Sequence, residues 1–134
     1  MERVLLERFV GQNVGNCHLE QLLSYGQVRA VYQAHQAVPN RPVMLTLLFP
    51  EGLPSRARQQ FCTRFLREAP ALAEVRHPHL VPLYTYGEWE GLSYMVNPVL
   101  SERSLATSLR QHGPCTPTTA LAILQQITAG LEHA

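Results

Sequence analysis

Residues 43–88 read VMLTLLFPEGLPSRARQQFCTRFLREAPALAEVRHPHLVPLYTYGE, and their hydrophobic period changes twice. The run Val43–Phe49 is apolar almost throughout and of strand length, which predicts a strand covered on both faces. From Ser55 to about Val75 the apolar residues Phe61, Phe65, Leu66, Leu72 and Ala73 recur at helical spacing, with Arg and Glu between them. This predicts a helix with Ser55 as its N-cap. Pro70 falls inside it and removes one backbone hydrogen bond, a cost of about 3 kcal/mol that predicts a kink or break near Ala69. His77 precedes a proline, which ends the helix. The period then returns to that of strands.

On the N-terminal side, CHLEQLL from Cys17 and VRAVYQA from Val28 read as strands joined by SYGQ, with AVPNRP as the next turn. With residues 43–49 they form an antiparallel meander. Residues 1–15 are a lead-in containing one short helix. On the C-terminal side a hairpin is predicted with arms 80–87 and 92–97 and EWEG as the turn. A short helix follows from Ser104 to Gln111, ended by Gly113. A longer amphipathic helix has Thr116 at its N-cap and Pro117 at its first position. Leu121, Leu124, Ile127, Thr128 and Leu131 share one face of it. The order β-β-β-α-β-β-α-α predicts an α+β fold, a five-stranded antiparallel sheet with one helix inserted between strands three and four. The last helix reaches residue 134 without a cap, so the chain is expected to be part of something longer.

Of 134 residues, 46% are hydrophobic and 16% charged, with a net charge of +1. This is a globular profile, which excludes disorder, collagen and coiled coil. The near-neutral balance removes the usual argument for a nucleic-acid partner or an acidic membrane. All eleven basic residues are Arg and all ten acidic residues are Glu. Chemistry that needs a lysine amine or an aspartate is therefore excluded within these residues. Cys17, Cys62 and Cys115 are odd in number and form no C-x-x-C pair. Three reduced thiols and a cytoplasmic location are expected. The N-terminus has no uninterrupted apolar core, and no apolar run approaches the ~20 residues of a membrane helix.

In this order the segments resemble the N-terminal lobe of bacterial eukaryotic-like (Hanks-type) Ser/Thr protein kinases, from about Val14 to Ala134. LLSYGQVRAVYQA stands where that family has its Gly-rich loop and second strand, and VMLT where it has V-A-I-K. FLREAPALAEVRHPHLVPLYTYGE matches the conserved-glutamate helix, its H-P-x ending and strand four. GLSYMVNPVLSERSL matches strand five, the hinge and the start of the next helix. ALAILQQITAGLEHA matches the helix before the catalytic loop. The resemblance implies a lead-in over 1–15, a kinase-like N-lobe over 16–97, and the hinge with the first helices of the second lobe over 98–134. The H-R-D and D-F-G motifs belong beyond Ala134.

The resemblance also implies a nucleotide cleft, built here from substituted residues. Ser24, Gly26 and Arg29 occupy the three glycine positions of G-x-G-x-x-G-x-V, and Val31 keeps the valine. Only the middle glycine remains, so fewer positions let the backbone approach phosphates freely. Arg29 reads as a solvent-facing strand arginine, with a phosphate contact as the alternative. Thr46 fills the place of the lysine that contacts the α/β-phosphates, and it is uncharged and short. Glu68 stands where the partner glutamate belongs, paired with Arg64 or Arg67 or turned to water. Met44 replaces the small alanine beside adenine and fills part of that space. Pro98 takes the first hinge position without an N–H, which leaves Val99 or Leu100 as backbone donors. Asn97, at the back of the pocket, must find a hydrogen bond.

His77 and His79 form an H-x-H, a zinc spacing, but no third ligand follows at a recognisable distance. Ser101, Ser104 and Ser108 lack a nucleophile-elbow context. Tyr84, Tyr86, Trp89 and Tyr94 are either a binding face or ordinary cross-strand packing, of which the second is favoured. The expected function is a degenerate, pseudokinase-type signalling module without catalytic residues, metal or bound cofactor. Its partner is another protein or the rest of a kinase domain, with no nucleic acid and no membrane contact. The alternatives are a divergent Ser/Thr kinase that keeps ATP and Mg²⁺, with its transfer residues downstream, and a non-kinase binding domain.

Overall fold

The computed structural model describes residues 3–100 and 104–134; residues 101–103, part of the expected hinge and second-lobe segment 98–134 and including Ser101, lie outside them. The elements are α1 (Arg3–Glu7), β1 (Asn13–Val14), β2 (Cys17–Tyr25), β3 (Arg29–Gln36), β4 (Arg41–Leu48), α2 (Ser55–Glu74), β5 (Thr85–Trp89), β6 (Leu92–Pro98), α3 (Leu105–His112) and α4 (Pro117–His133). One antiparallel sheet has the strand order β1-β2-β3-β4-β6-β5. It holds six strands where five were expected. The extra one is the two-residue β1, which pairs Asn13 with His18 and Val14 with Cys17. Two residues are too few to show an alternation in sequence.

The sheet has two unlike faces. Val43, Leu45 and Leu47 of β4 are fully buried and join Leu6, Val14, Leu19, Ala30, Tyr32 and Val96 in a single core. Each Leu and Val among them contributes roughly 1.5–3 kcal/mol by leaving water. The N-terminal segment closes this core. Leu6 is fully buried, its carbonyl accepts the Tyr32 hydroxyl at 2.8 Å, and Phe9 packs against Phe49 and Trp89. Burial, and then the charge of Glu7, push the Tyr32 phenol up to about 12.

The opposite face carries α2. The helix runs unbroken from Ser55 to Glu74 through Pro70, so the expected break at Ala69 is absent. Pro70 and Leu66 are both exposed, and water can satisfy the carbonyl that the proline leaves free. Ala69 is the buried residue of this helix, and Pro54 rather than Ser55 holds the N-cap position. Phe65 meets Tyr86 edge-on at 6.4 Å.

The hairpin β5–β6 turns through Glu90 and Gly91, both with positive φ (52° and 76°), the geometry that tight hairpins favour. Its first arm begins at Thr85, later than expected, although the Tyr84 N–H still donates to the Val96 carbonyl at 2.8 Å. Strand β6 continues through Pro98, which pairs with Val43. Ser104 caps α3 by accepting from the Thr107 N–H, and Thr116 caps α4 by accepting from that of Thr119. Leu121, Leu124, Ile127 and Leu131 of α4 are exposed. Among the described residues no helix is long and apolar enough to cross a membrane.

Candidate functional site

Strand alternation places Met44, Thr46 and Leu48 of β4 on the face turned away from the core, toward α2. Register then builds two rows across the sheet. One runs Ser24, Val31, Thr46, Met95, Tyr86 through successive cross-strand pairs, and the next runs Gln33, Met44, Asn97. Thr46 thus stands at the centre of the cleft face, between Val31 and Met95. No cationic side chain belongs to either row.

At the hinge end of the cleft two side chains engage backbone groups. The Leu100 N–H donates to the Met44 sulfur at 3.4 Å. Asn97, opposite Met44 in register, donates through Nδ2 to the Pro82 carbonyl at 2.8 Å, which gives this polar side chain the hydrogen bond it requires. Val99 is exposed. Of the hinge donors expected from sequence, Leu100 is engaged by the methionine that occupies the alanine position.

Glu68 lies on α2 and its carboxylate is 3.8 Å from the Arg64 guanidinium, one helical turn back. Both side chains are more than half exposed. A pair of this kind is worth about 0.3–0.5 kcal/mol. Glu68 also borders an apolar cavity of about 200 Å³ between α2 and the sheet. The sheet wall of that cavity is Leu48 and Met95, the neighbours of Thr46 along and across the strands.

The loop between β2 and β3 is short and tied down. Gly26 donates its N–H to the Arg29 carbonyl at 2.8 Å, and the Val28 carbonyl accepts from the Phe49 N–H at 2.6 Å. A β-carbon on Gly26 would meet nothing within 4 Å. Ser24 and Arg29 are exposed, whereas Val31 is buried. The site expected from sequence therefore divides. Val31, Met44, Thr46 and Asn97 share one face, Glu68 faces their edge from α2, and Ser24, Gly26 and Arg29 sit at the solvent rim. Sequence reading did not single out Met95 or Leu48, though alternation from Asn97 and Thr46 places both on this face.

The hairpin aromatics pack with separate partners. The Arg41 guanidinium lies 3.5 Å over the Tyr84 ring, Tyr86 meets Phe65, Trp89 meets Phe9, and Tyr94 presses on Gly15 and Gly87. They form packing on both sides of the sheet and no common binding face. His77 accepts the His79 N–H through Nδ1 at 3.1 Å, and its ring lies 5.0 Å from that of His133 at the end of α4. Partial burial, then the charges of His133 and His79, hold His77 below its usual value. Among the described residues no cluster of His, Cys and Glu is placed to hold a metal.

The family model for protein tyrosine and serine/threonine kinases matches residues 17–134. Serine/threonine-protein kinase PknD of Mycobacterium tuberculosis is 35% identical over 125 residues, covering 93% of this chain and 18% of PknD. PknE of Mycobacterium bovis is 36% identical over 124 residues, covering 92% of this chain and 21% of PknE. The crystal structure of the Mycobacterium tuberculosis PknI kinase domain superposes with a TM-score of 0.83 at 20% identity, over 92% of this chain and 49% of that one. The chain thus spans about a fifth of its curated bacterial relatives and about half of a solved kinase domain. Its α+β architecture is that of the kinase N-lobe with the first helices of the second lobe. The chain belongs to the protein tyrosine and serine/threonine kinase family.

Proposed function

We propose that this chain is a kinase-like domain portion that has lost phosphoryl transfer and serves as an interaction or regulatory module. The observation that carries this reading is the Met44 sulfur taking the Leu100 N–H. The thioether occupies the space a small residue would leave for a base, and it satisfies a backbone donor that the base would use. Thr46 adds to it, since a neutral side chain in that row supplies no charge to a triphosphate. Glu68 pairs with Arg64 of its own helix, which leaves the sheet without the cation that the helix glutamate serves in active kinases. The three free thiols support a reducing cytoplasmic setting, and the near-neutral charge supports a protein partner over nucleic acid.

A thermal-shift titration with ATP and Mg²⁺ tests this. A ligand far below its dissociation constant adds almost no stability, so the melting temperature should stay constant. A rise of several degrees at millimolar ATP would overturn it. That result would favour a second reading, a divergent Ser/Thr kinase with its transfer residues downstream. In its favour stand Gly26, Val31 and Glu68 at matching positions and the similarity to PknD and PknE, which are named as serine/threonine-protein kinases.

A further inference from the structure

Outside the cleft, the exposed side of α2 carries a stripe of one chemical kind. Arg56, Gln60, Thr63, Arg64 and Arg67 fall within one third of the helix circumference and, with Phe61, line an open groove of about 750 Å³. Among the described residues Arg56 and Arg67 make no ion pair, and Arg64 has only the exposed contact with Glu68. The helix has no acidic residue in its first turn and no side-chain cap, so its positive end adds to the same field. Ser55 to Arg67 contains four arginines and no carboxylate.

We propose that this groove is a docking surface for an acidic, carboxylate-rich segment of a partner protein. Charge complementarity carries the choice. Guanidinium groups grip carboxylates bidentately and keep their charge at any physiological pH. At 1.5 Å per residue the stripe from Arg56 to Arg67 is about 16 Å long, which matches roughly five residues of extended peptide. A membrane or a nucleic acid offers charge over a far wider area than one helical stripe on a chain of net charge +1. The groove adjoins the cavity between α2 and the sheet through Phe61 and Arg64 but opens to the outer side of the helix, and the inference stands whether or not the cleft holds nucleotide.

Fluorescence anisotropy with a dye-labelled oligoglutamate peptide at low ionic strength tests it. Saturable binding should weaken steeply with added salt. It should fall roughly tenfold in Arg56→Gln/Arg67→Gln. Arg110→Gln, on α3 and outside the groove, should bind as the parent does. If the double variant loses its cooperative melt, each single variant should still show a loss of roughly threefold. No saturable binding, equal loss in Arg110→Gln, or preference for anionic vesicles, DNA or a phosphopeptide over oligoglutamate would overturn it.

Discussion

The Met44 sulfur and the Leu100 amide, 56 residues apart in sequence, meet at 3.4 Å at the hinge end of the cleft. One residue further along the same face of β4 stands Thr46, and the two act on different requirements of a nucleotide. In the proposed reading Met44 removes room and a donor, whereas Thr46 removes charge. Met44→Ala with Thr46→Lys should restore both. The double variant should bind a fluorescent ATP analogue with a millimolar or tighter dissociation constant, about 4 kcal/mol of binding. Thr46→Lys alone should gain less. No gain in the same titration would show that the cleft is blocked by something other than these two side chains.

Tyr94 is held between two glycines. A β-carbon at Gly87 would lie 2.8 Å from the Tyr94 hydroxyl, and one at Gly15 would lie 2.5 Å from it at a φ of +59°. Gly87→Ala should therefore lose about 1–3 kcal/mol in urea unfolding. Tyr94→Phe, by removing the oxygen, should recover part of that loss. Additive losses in the double variant would place the strain elsewhere.

Much of this was readable in the chain, and what was missed has physical causes. The helix of residues 55–74 shows because its apolar positions recur from Phe61 to Ala73, over more than three turns. The Glu68–Arg64 pair shows because i,i+4 neighbours need no tertiary knowledge. The turn at Glu90 and Gly91 shows through its residue types. By contrast, β1 has two residues, which is too short for any alternation to emerge. Pro70 is tolerated because this side of the helix faces water, which its local cost alone does not reveal. The engagement of Leu100 by Met44, and of Pro82 by Asn97, arises only when distant segments are brought together.

The N-terminal segment, read as a lead-in, makes measurable contributions to the core. Tyr32→Phe removes a buried hydrogen bond to the Leu6 carbonyl and should cost about 1 kcal/mol. Leu6→Ala should cost about 2–5 kcal/mol, since this side chain is fully buried. Unfolding midpoints that do not change in either variant would show that α1 is not fixed to the sheet in solution.

His77 gives a pH dependence of definite sign. Its folded value lies below the ordinary 6.5 because of partial burial and the nearby rings of His133 and His79. The unfolded chain therefore binds the proton more readily. The stability linked to His77 is complete above about pH 6.5, and it is lost as pH falls from there through the lower folded value. The melting temperature should drop as pH falls below about 6.5. In His77→Gln the drop should be shallower. An identical slope in parent and variant would remove His77 as its source.

The three thiols should react in order of access. Cys115 is exposed, Cys62 half-buried and Cys17 buried, and burial raises the Cys17 thiol against the opposing pull of Arg41. Labelling with a chromogenic disulfide should modify Cys115 first and reach Cys17 only on unfolding. Early modification of Cys17 in the folded protein would mean that the β1–β2 edge opens readily.

In β4 the odd-numbered residues Val43, Leu45 and Leu47 hold the scaffold, while Met44, Thr46 and Leu48 look the other way. Because a strand assigns its neighbours to opposite sides, architecture and reactivity are written in alternate letters of the same word. Mutation can rewrite the second set while the first goes on specifying the shape.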